Sequence, residues 1–321
     1  MNRPATRRTL TLKTLAAAGV FVCALLLLTG CASPQMIGLE QHWPQDLPSQ
    51  AELKDVAFFP QEDHECGPAS LATVFQSAGV AVTPEQLLDQ VYLPGRQGSL
   101  QVEMQAATRR NGLSAYVLTP DVQSVLHEVA AGNPVLVLQN LSLPFYPVWH
   151  YAVVIGYDRD KNVVILHSGR TARMEMSLFT FERTWARSGY WAMVALPPQR
   201  LPATASPEAM AQTLAALERV HPVAARTAYA SALKKWPDQR TLLLGAGNTA
   251  YALRDLPAAQ LAYQTAVAAH PDFADAWNNL AQVLLDQGQR TDAARAIAKA
   301  VALGGVRLSA YLELQAQINA R

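Results

Sequence analysis

Apolar and polar positions change rhythm several times along the 321 residues. Leu15–Leu28 is an unbroken apolar run of 14 residues behind Arg3, Arg7, Arg8 and Lys13. A membrane span needs about 20 such residues, whereas a basic stretch before a shorter apolar core is the pattern of an export signal. Residues 32–50 carry Ser33, Pro34, Pro44 and Pro48 among polar residues and read as an extended tether. From 55 to 197 the two periodicities mix. Leu71, Val74, Phe75 and Ala78 recur at helical spacing after Cys66, and Gly79 stops that helix. Pro68 falls in its first turn, where a missing N–H costs nothing. A second helix is expected to run from Ser99, as its N-cap, to Gly112. Val135–Leu138, Tyr151–Tyr157, Asn162–Leu166 and Tyr190–Leu196 read as strands, the middle two joined into a hairpin by a turn at Asp158–Lys161. Pro197, Pro198, Pro202 and Pro207 then mark a linker, after which the chain turns Ala-rich and loses its strand-like runs.

That last part repeats. Ala225, Ala259 and Ala293 lie 34 residues apart, as do Tyr229, Tyr263 and Ile297, and Ala232, Ala266 and Ala300. Pro237 and Pro271 keep the register and Gly305 takes the third such place. A 34-residue period with small residues at close helix contacts is that of the tetratricopeptide repeat. Trp277, Leu280, Ala281, Leu284 and Gly288 make the third unit the fullest match, while the first lacks the Trp and the inter-helix Gly. About three units over 206–321, closed by a capping helix at Leu308–Ala320, are expected to offer a concave surface to a protein partner.

Composition changes this picture once the N-terminus is set aside. Half of the residues are hydrophobic and 16% are charged, which excludes a disordered chain. Leu28-Thr29-Gly30-Cys31 resembles the lipobox of bacterial lipoproteins, which implies cleavage before Cys31 and acylation of that cysteine. Ala32, rather than Asp, after the cysteine points by the same resemblance to the periplasmic face of the outer membrane. Four of 26 basic residues fall in 1–30 and none of the 25 acidic ones, so the net charge moves from +1 to −3. No nucleic-acid footprint shows. Cys23 goes with the signal and Cys31 carries lipid, so Cys66 has no cysteine to pair with. No metal-ligand spacing is present, and no cofactor is expected.

Cys66 is where chemistry concentrates. At a helix N-terminus the free N–H groups and the helix dipole favour a thiolate, which makes a nucleophile. The Cys66 N–H and the Gln61 amide are candidate donors to an oxyanion. A thiol nucleophile needs a histidine that takes and returns a proton. His150, at the mouth of a core strand, is held as rigidly as that role demands. His64 is too near Cys66 in sequence, and His42, His127, His221 and His270 lie in the tether, on a surface helix and in the repeats. Tyr146, Trp149 and Tyr157 are either groove or core. Asp158 and Asp160 read as turn residues.

Cys66-Gly67-Pro68-Ala69-Ser70-Leu71 with an upstream Gln, His150-Tyr151 before a Val-rich strand, and Phe181-Glu182-Arg183-Thr184-Trp185 before a closing strand together resemble the papain-like cysteine peptidases of family 39, over residues 55–197. The resemblance implies Cys66 as nucleophile, His150 as base and Gln61 in the oxyanion hole. Two places depart from it. Ser168 stands where the family carries an Asp that orients the histidine, and a serine accepts the imidazole N–H without charge. Gln61 precedes Cys66 by five residues where papain-like enzymes leave six. The sequence thus predicts a signal peptide at 1–30, a lipidated tether at 31–54, an α+β papain-like peptidase domain at 55–197 and an all-α repeat solenoid at 206–321. The expected function is hydrolysis of a peptide or amide bond in a peptide or protein substrate at a membrane, through a lipid anchor. The alternatives are a catalytically weak or inactive peptide-binding scaffold, and acyl transfer to an amine by the same thiol.

Overall fold

A computed structural model describes residues 33–61 and 65–320. The expected signal peptide, Cys23, Cys31 and His64 lie outside the described residues. Among those described, no helix is long and apolar enough to cross a membrane.

The first half is built on one antiparallel sheet. Its strands are β1 (Gln50–Glu52), β4 (Ser114–Val117), β5 (Val135–Asn140), β6 (Trp149–Asp158), β7 (Val163–Ser168), β8 (Thr171–Ser177) and β9 (Ala192–Leu196). They lie in the order β4-β9-β5-β6-β7-β8, with β1 paired to the far end of β6. A separate short ribbon joins β2 (Tyr92–Leu93) to β3 (Gly98–Ser99). β6 is buried on both faces, which is why it reads as a continuous apolar run. Ala152, Val154 and Tyr157 enter one apolar cluster, and Tyr151, Val153 and Ile155 the other. The register shift between Val154 and Gly156 accounts for the break in alternation before Tyr157. Gly156 has a steric reason. A Cβ there would stand 2.8 Å from the Ala51 carbonyl oxygen, so only glycine lets β1 close on the sheet.

Helices cover both faces. α2 (Cys66–Ser77), α3 (Pro84–Val91) and α4 (Gln101–Arg110) lie on one side, and α5 (Val122–Ala130) and α6 (Leu178–Ala186) on the other. α4 begins after Leu100, without a side-chain cap. Ser99 belongs to β3 instead, so its expected capping role is not what the fold uses.

The segment expected to be an extended tether is folded. α1 (Pro34–Gln41) starts one residue into the described chain. Its N2 and N3 amides, at Gln35 and Met36, donate to the buried Glu182 carboxylate at 3.0 and 2.9 Å. An anion belongs at that end of a helix, where free N–H groups and the dipole converge. Met36, Leu39 and Leu47 complete the apolar cluster on that face.

The second half is helical throughout. α7 (Pro207–Glu218), α8 (Pro222–Lys235), α9 (Arg240–Ala252), α10 (Leu256–Ala269), α11 (Ala274–Asp286) and α12 (Arg290–Leu303) form three antiparallel pairs, and α13 (Leu308–Asn319) follows. The 34-residue registers fall on the second helix of each pair. Ala225, Ala259 and Ala293 are fully buried, as are Ala232, Ala266 and Ala300, with Tyr229, Tyr263 and Ile297 packed between them. The architecture is thus an α+β papain-like domain followed by a tetratricopeptide array.

The Pro-rich stretch between the halves is not a free linker. Met210, Leu214 and Leu217 of α7 share one apolar cluster with Val125, Val154 and Trp185 of the sheet domain. The connecting chain is fixed by Glu128 of α5, which is fully buried. One of its carboxylate oxygens accepts from the Thr204 N–H at 2.8 Å and the Thr204 hydroxyl at 2.7 Å. The other accepts from Asn133 Nδ2 at 2.6 Å, and Arg200 donates to the Asn133 carbonyl oxygen.

Candidate active site

Cys66 is the first residue of α2, and the preceding Glu65 offers no side-chain cap. The first amides of the helix are therefore open to another acceptor. The Cys66 sulfur takes this place, with N–H groups of Tyr151, Gly67 and Cys66 itself directed at it. Gly67 lets the helix start sit this low. A Cβ at that position would come within 2.2 Å of Ser99 Oγ. Tyr151 is the next residue after His150 on β6, so the strand that carries the histidine also touches the thiol.

His150 opens β6 opposite Gln139 of β5. Its Nε2 lies 2.9 Å from Ser168 Oγ, at the end of β7. With the proton on Nε2, the imidazole donates to that hydroxyl and leaves Nδ1 as the free lone pair. Cys66, His150 and Gln61 all line one open cleft of about 1020 Å³.

The electrostatics differ from the sequence expectation. Burial pushes the Cys66 thiol above its ordinary value and outweighs the three N–H groups that favour the thiolate. Burial pushes the His150 imidazole below its ordinary value. Both shifts favour the neutral pair, so in the unliganded cleft the helix N-terminus does not by itself make the thiolate.

Gln61 also departs from its expected display. It reaches the cleft wall, but its Nε2 donates to Ser70 Oγ at 3.1 Å and to the Tyr151 carbonyl at 3.4 Å. Its Oε1 accepts from the Gly169 N–H at 3.1 Å, and its own N–H donates to the Gly169 carbonyl. Both amide hydrogens are thus held by protein acceptors, which keeps a buried amide satisfied.

Other candidates sort by position. Trp149 lines the cleft, Tyr146 is exposed on the adjoining loop, and Tyr157 is core, donating to the Pro48 carbonyl. Asp158 accepts from the Lys161 N–H and pairs with its ammonium, as a turn residue does. His127 meets Asp46 on the surface. His221 caps α8, and His270 reaches the Asp238 carbonyl. His167, beside Ser168, bonds the Val56 carbonyl. Ser99, expected as a helix cap, instead lines the cleft with a buried hydroxyl that has no partner, and nothing in the sequence marks Arg96, Arg170 and Arg187 as cleft residues.

A cysteine at a helix start and a histidine on a strand of an antiparallel sheet share this cleft, the arrangement that the papain-like resemblance implies. The model of the peptidase C39-like family matches residues 53–193, and the tetratricopeptide-repeat model matches 210–259 and 244–311. The chain thus carries a peptidase C39-like domain followed by a run of tetratricopeptide repeats. No curated protein matches it. Among solved structures, a C39-like peptidase from Bacillus anthracis is 19% identical with a TM-score of 0.38, covering 46% of this chain and 98% of that one. The double glycine motif protease of an AMS/PCAT transporter, in complex with the leader peptide, is 20% identical with a TM-score of 0.34, covering 46% and 92%. MamA from Desulfovibrio magneticus RS-1 is 24% identical with a TM-score of 0.33, covering 36% and 66%. The chain spans just under two thirds of the MamA structures it matches.

Proposed function

We propose that the chain is a cysteine peptidase that hydrolyses a peptide or amide bond, held at the cell envelope by a lipid on Cys31. The observation that carries the catalytic part is that Cys66 and His150 line one cleft of a C39-like domain, with the Ser168 hydroxyl 2.9 Å from the imidazole Nε2. In this reading the Cys66 sulfur bonds the substrate carbonyl carbon while its proton passes to His150 Nδ1. His150 then gives that proton to the leaving amine as the C–N bond breaks. Water, deprotonated by His150, attacks the thioester, and the thiol is restored. The Cys66 N–H donates to the oxyanion. Gln61 joins it by exchanging its long bond to the Tyr151 carbonyl for the developing charge. The repeats hold the substrate or a protein partner. The lipobox at Leu28–Cys31 supports the anchor, with the periplasmic face of the outer membrane as its place. Labelled palmitate should enter the wild-type chain and not Cys31→Ala, and an unlabelled wild-type chain would remove the anchor from this reading.

The neutral resting pair sets the chemical test. Iodoacetamide should alkylate Cys66 with an apparent pKa above the usual thiol value of about 8.5. Ser168→Asp puts a carboxylate beside His150, which favours imidazolium and through it the thiolate. Its alkylation at neutral pH should rise about tenfold, with the apparent pKa moving down by about one unit. A wild-type pKa well under about 8.5 would overturn the neutral resting pair, and a Ser168→Asp profile that does not move would show that His150 and the thiol are not coupled.

The competing reading is a peptide-binding scaffold. The uncharged Ser168 and the two outward pKa shifts favour it. Purified residues 32–321 incubated with envelope peptides separate the two. Hydrolysis that depends on Cys66 establishes the peptidase, and product without hydrolysis but with a new amide bond would indicate transfer to an amine.

A further inference from the structure

We propose that this cleft takes an acidic peptide with a bulky apolar side chain beside the reacting bond. The inference rests on the reading of Cys66 as the reacting group for the position of that bond, but not for binding.

The charge argument comes from the walls. Arg96, Arg170 and Arg187 line the cleft, and among the described residues no Asp or Glu does. Arg170 has a partner of its own. Arg96 and Arg187 are in no ion pair among the described residues. Arg96 is exposed, on the turn between β2 and β3. Arg187 is half-buried and spends one nitrogen on the carbonyls of Asn140 and Ser142 at 3.2 and 2.7 Å, which leaves its charge without a counterion. Like charges in a concavity with apolar walls focus the field and raise the local concentration of the opposite charge. A guanidinium also receives a carboxylate through two parallel N–H bonds, which fixes orientation as well as sign.

The apolar half comes from the end of β5, the start of β6 and the loop between them. Leu138, Val148 and Trp149 line the cleft, with Trp149 half exposed. The loop that leads to them, between β5 and β6, holds Leu143, Phe145 and Tyr146 out to solvent, and Phe145 is 83% exposed. That loop is not loose. Asn140 is buried at its base and accepts from the N–H groups of Ser142 and Val148, while Nδ2 donates to the Leu143 carbonyl. The two carbonyls held by Arg187 complete the clamp. A large apolar patch held in place beside a reactive group is costly to leave in water and marks a binding surface. The guanidinium that clamps the loop is the same one that faces the cleft, so the charged and apolar contacts share one support.

Binding of fluorescently labelled short peptides to full-length Cys66→Ala protein tests this without requiring turnover. A Leu-centred peptide flanked by Glu should bind about tenfold more tightly than its Gln counterpart at low salt, and its Lys counterpart should bind least. The Glu advantage should shrink in high salt. Arg96→Glu, on an exposed turn, should bring the Glu and Gln peptides to parity. Lys peptides binding as well as Glu peptides, or a Glu preference untouched by both salt and Arg96→Glu, would overturn the acidic preference. A Glu-flanked peptide with Ala for the central Leu should bind several-fold more weakly, and equal affinity would overturn the apolar contact. Selective binding by a chain that hydrolyses nothing would overturn the peptidase reading and leave the ligand class standing.

Discussion

His150→Ala should lower amide hydrolysis by about 10³- to 10⁴-fold, and Cys66→Ala should leave none above background. The losses differ because the groups do different things. Without Cys66 there is no atom to bond the carbonyl carbon. Without His150 the thiol remains at the start of α2 with the Tyr151 and Gly67 amides still directed at it, but nothing takes its proton at neutral pH, where burial already holds the thiol protonated. Activity of the His150→Ala variant should therefore recover as pH rises toward the thiol's own raised pKa, whereas Cys66→Ala stays inactive at every pH. The double variant should be no worse than Cys66→Ala alone, since groups that act as one unit do not add. The measurement is kcat/KM on a cleaved peptide across pH, with circular dichroism of each variant to establish folding. A His150→Ala enzyme within tenfold of wild type would show that another group moves the proton.

The second large effect is on stability. Glu128→Ala should cost about 3–5 kcal/mol. The carboxylate is fully buried and accepts from Asn133 Nδ2, the Thr204 N–H and the Thr204 hydroxyl. Truncation strands those donors in an apolar interior, where each unmade hydrogen bond costs about 1–3 kcal/mol. Glu128→Gln keeps the shape but presents an amide NH₂ to donors on one side or the other, so it should also destabilise, by about 1–3 kcal/mol. The denaturant midpoint checks both. The damage should reach beyond the sheet domain, because Thr204 lies on the chain that leads into α7. Losses under about 0.5 kcal/mol for both variants would mean that water already satisfies the site.

The parts of this protein that could be read from sequence are those governed by local repetition. The repeat registers at Ala225, Tyr229 and Ala232 each recur on an identical helix face, so one physical constraint is written three times. The strands at Val135 and Tyr151 announce themselves because burial on both faces makes them continuously apolar. Cys66, Gly67 and Pro68 mark a helix start by rules that need no distant residue. What escaped is non-local. Ser33–Gln41 looks like a tether because the Glu182 carboxylate that receives its first amides is 146 residues away. The Pro-rich stretch looks like a linker because its partner, Glu128, is a single acidic residue in an otherwise ordinary helix. Ser99 passes for a cap because the turn before it is irregular. The thiol's environment is the sharpest case. Helix position predicts a lowered pKa, but burial of the thiol decides the sign, and burial of that kind has no pattern in the chain. Gln61 is similar, since its position is readable while the Ser70 and Tyr151 acceptors that hold its amide are not.

The upward push on the Cys66 thiol has one more consequence. Peroxides and small disulfides react with a thiolate, and they react slowly with a neutral thiol. A raised thiol pKa therefore slows oxidation of the sulfur in the empty cleft. An ionised cysteine at the same place would be more open to oxidation to sulfenic acid.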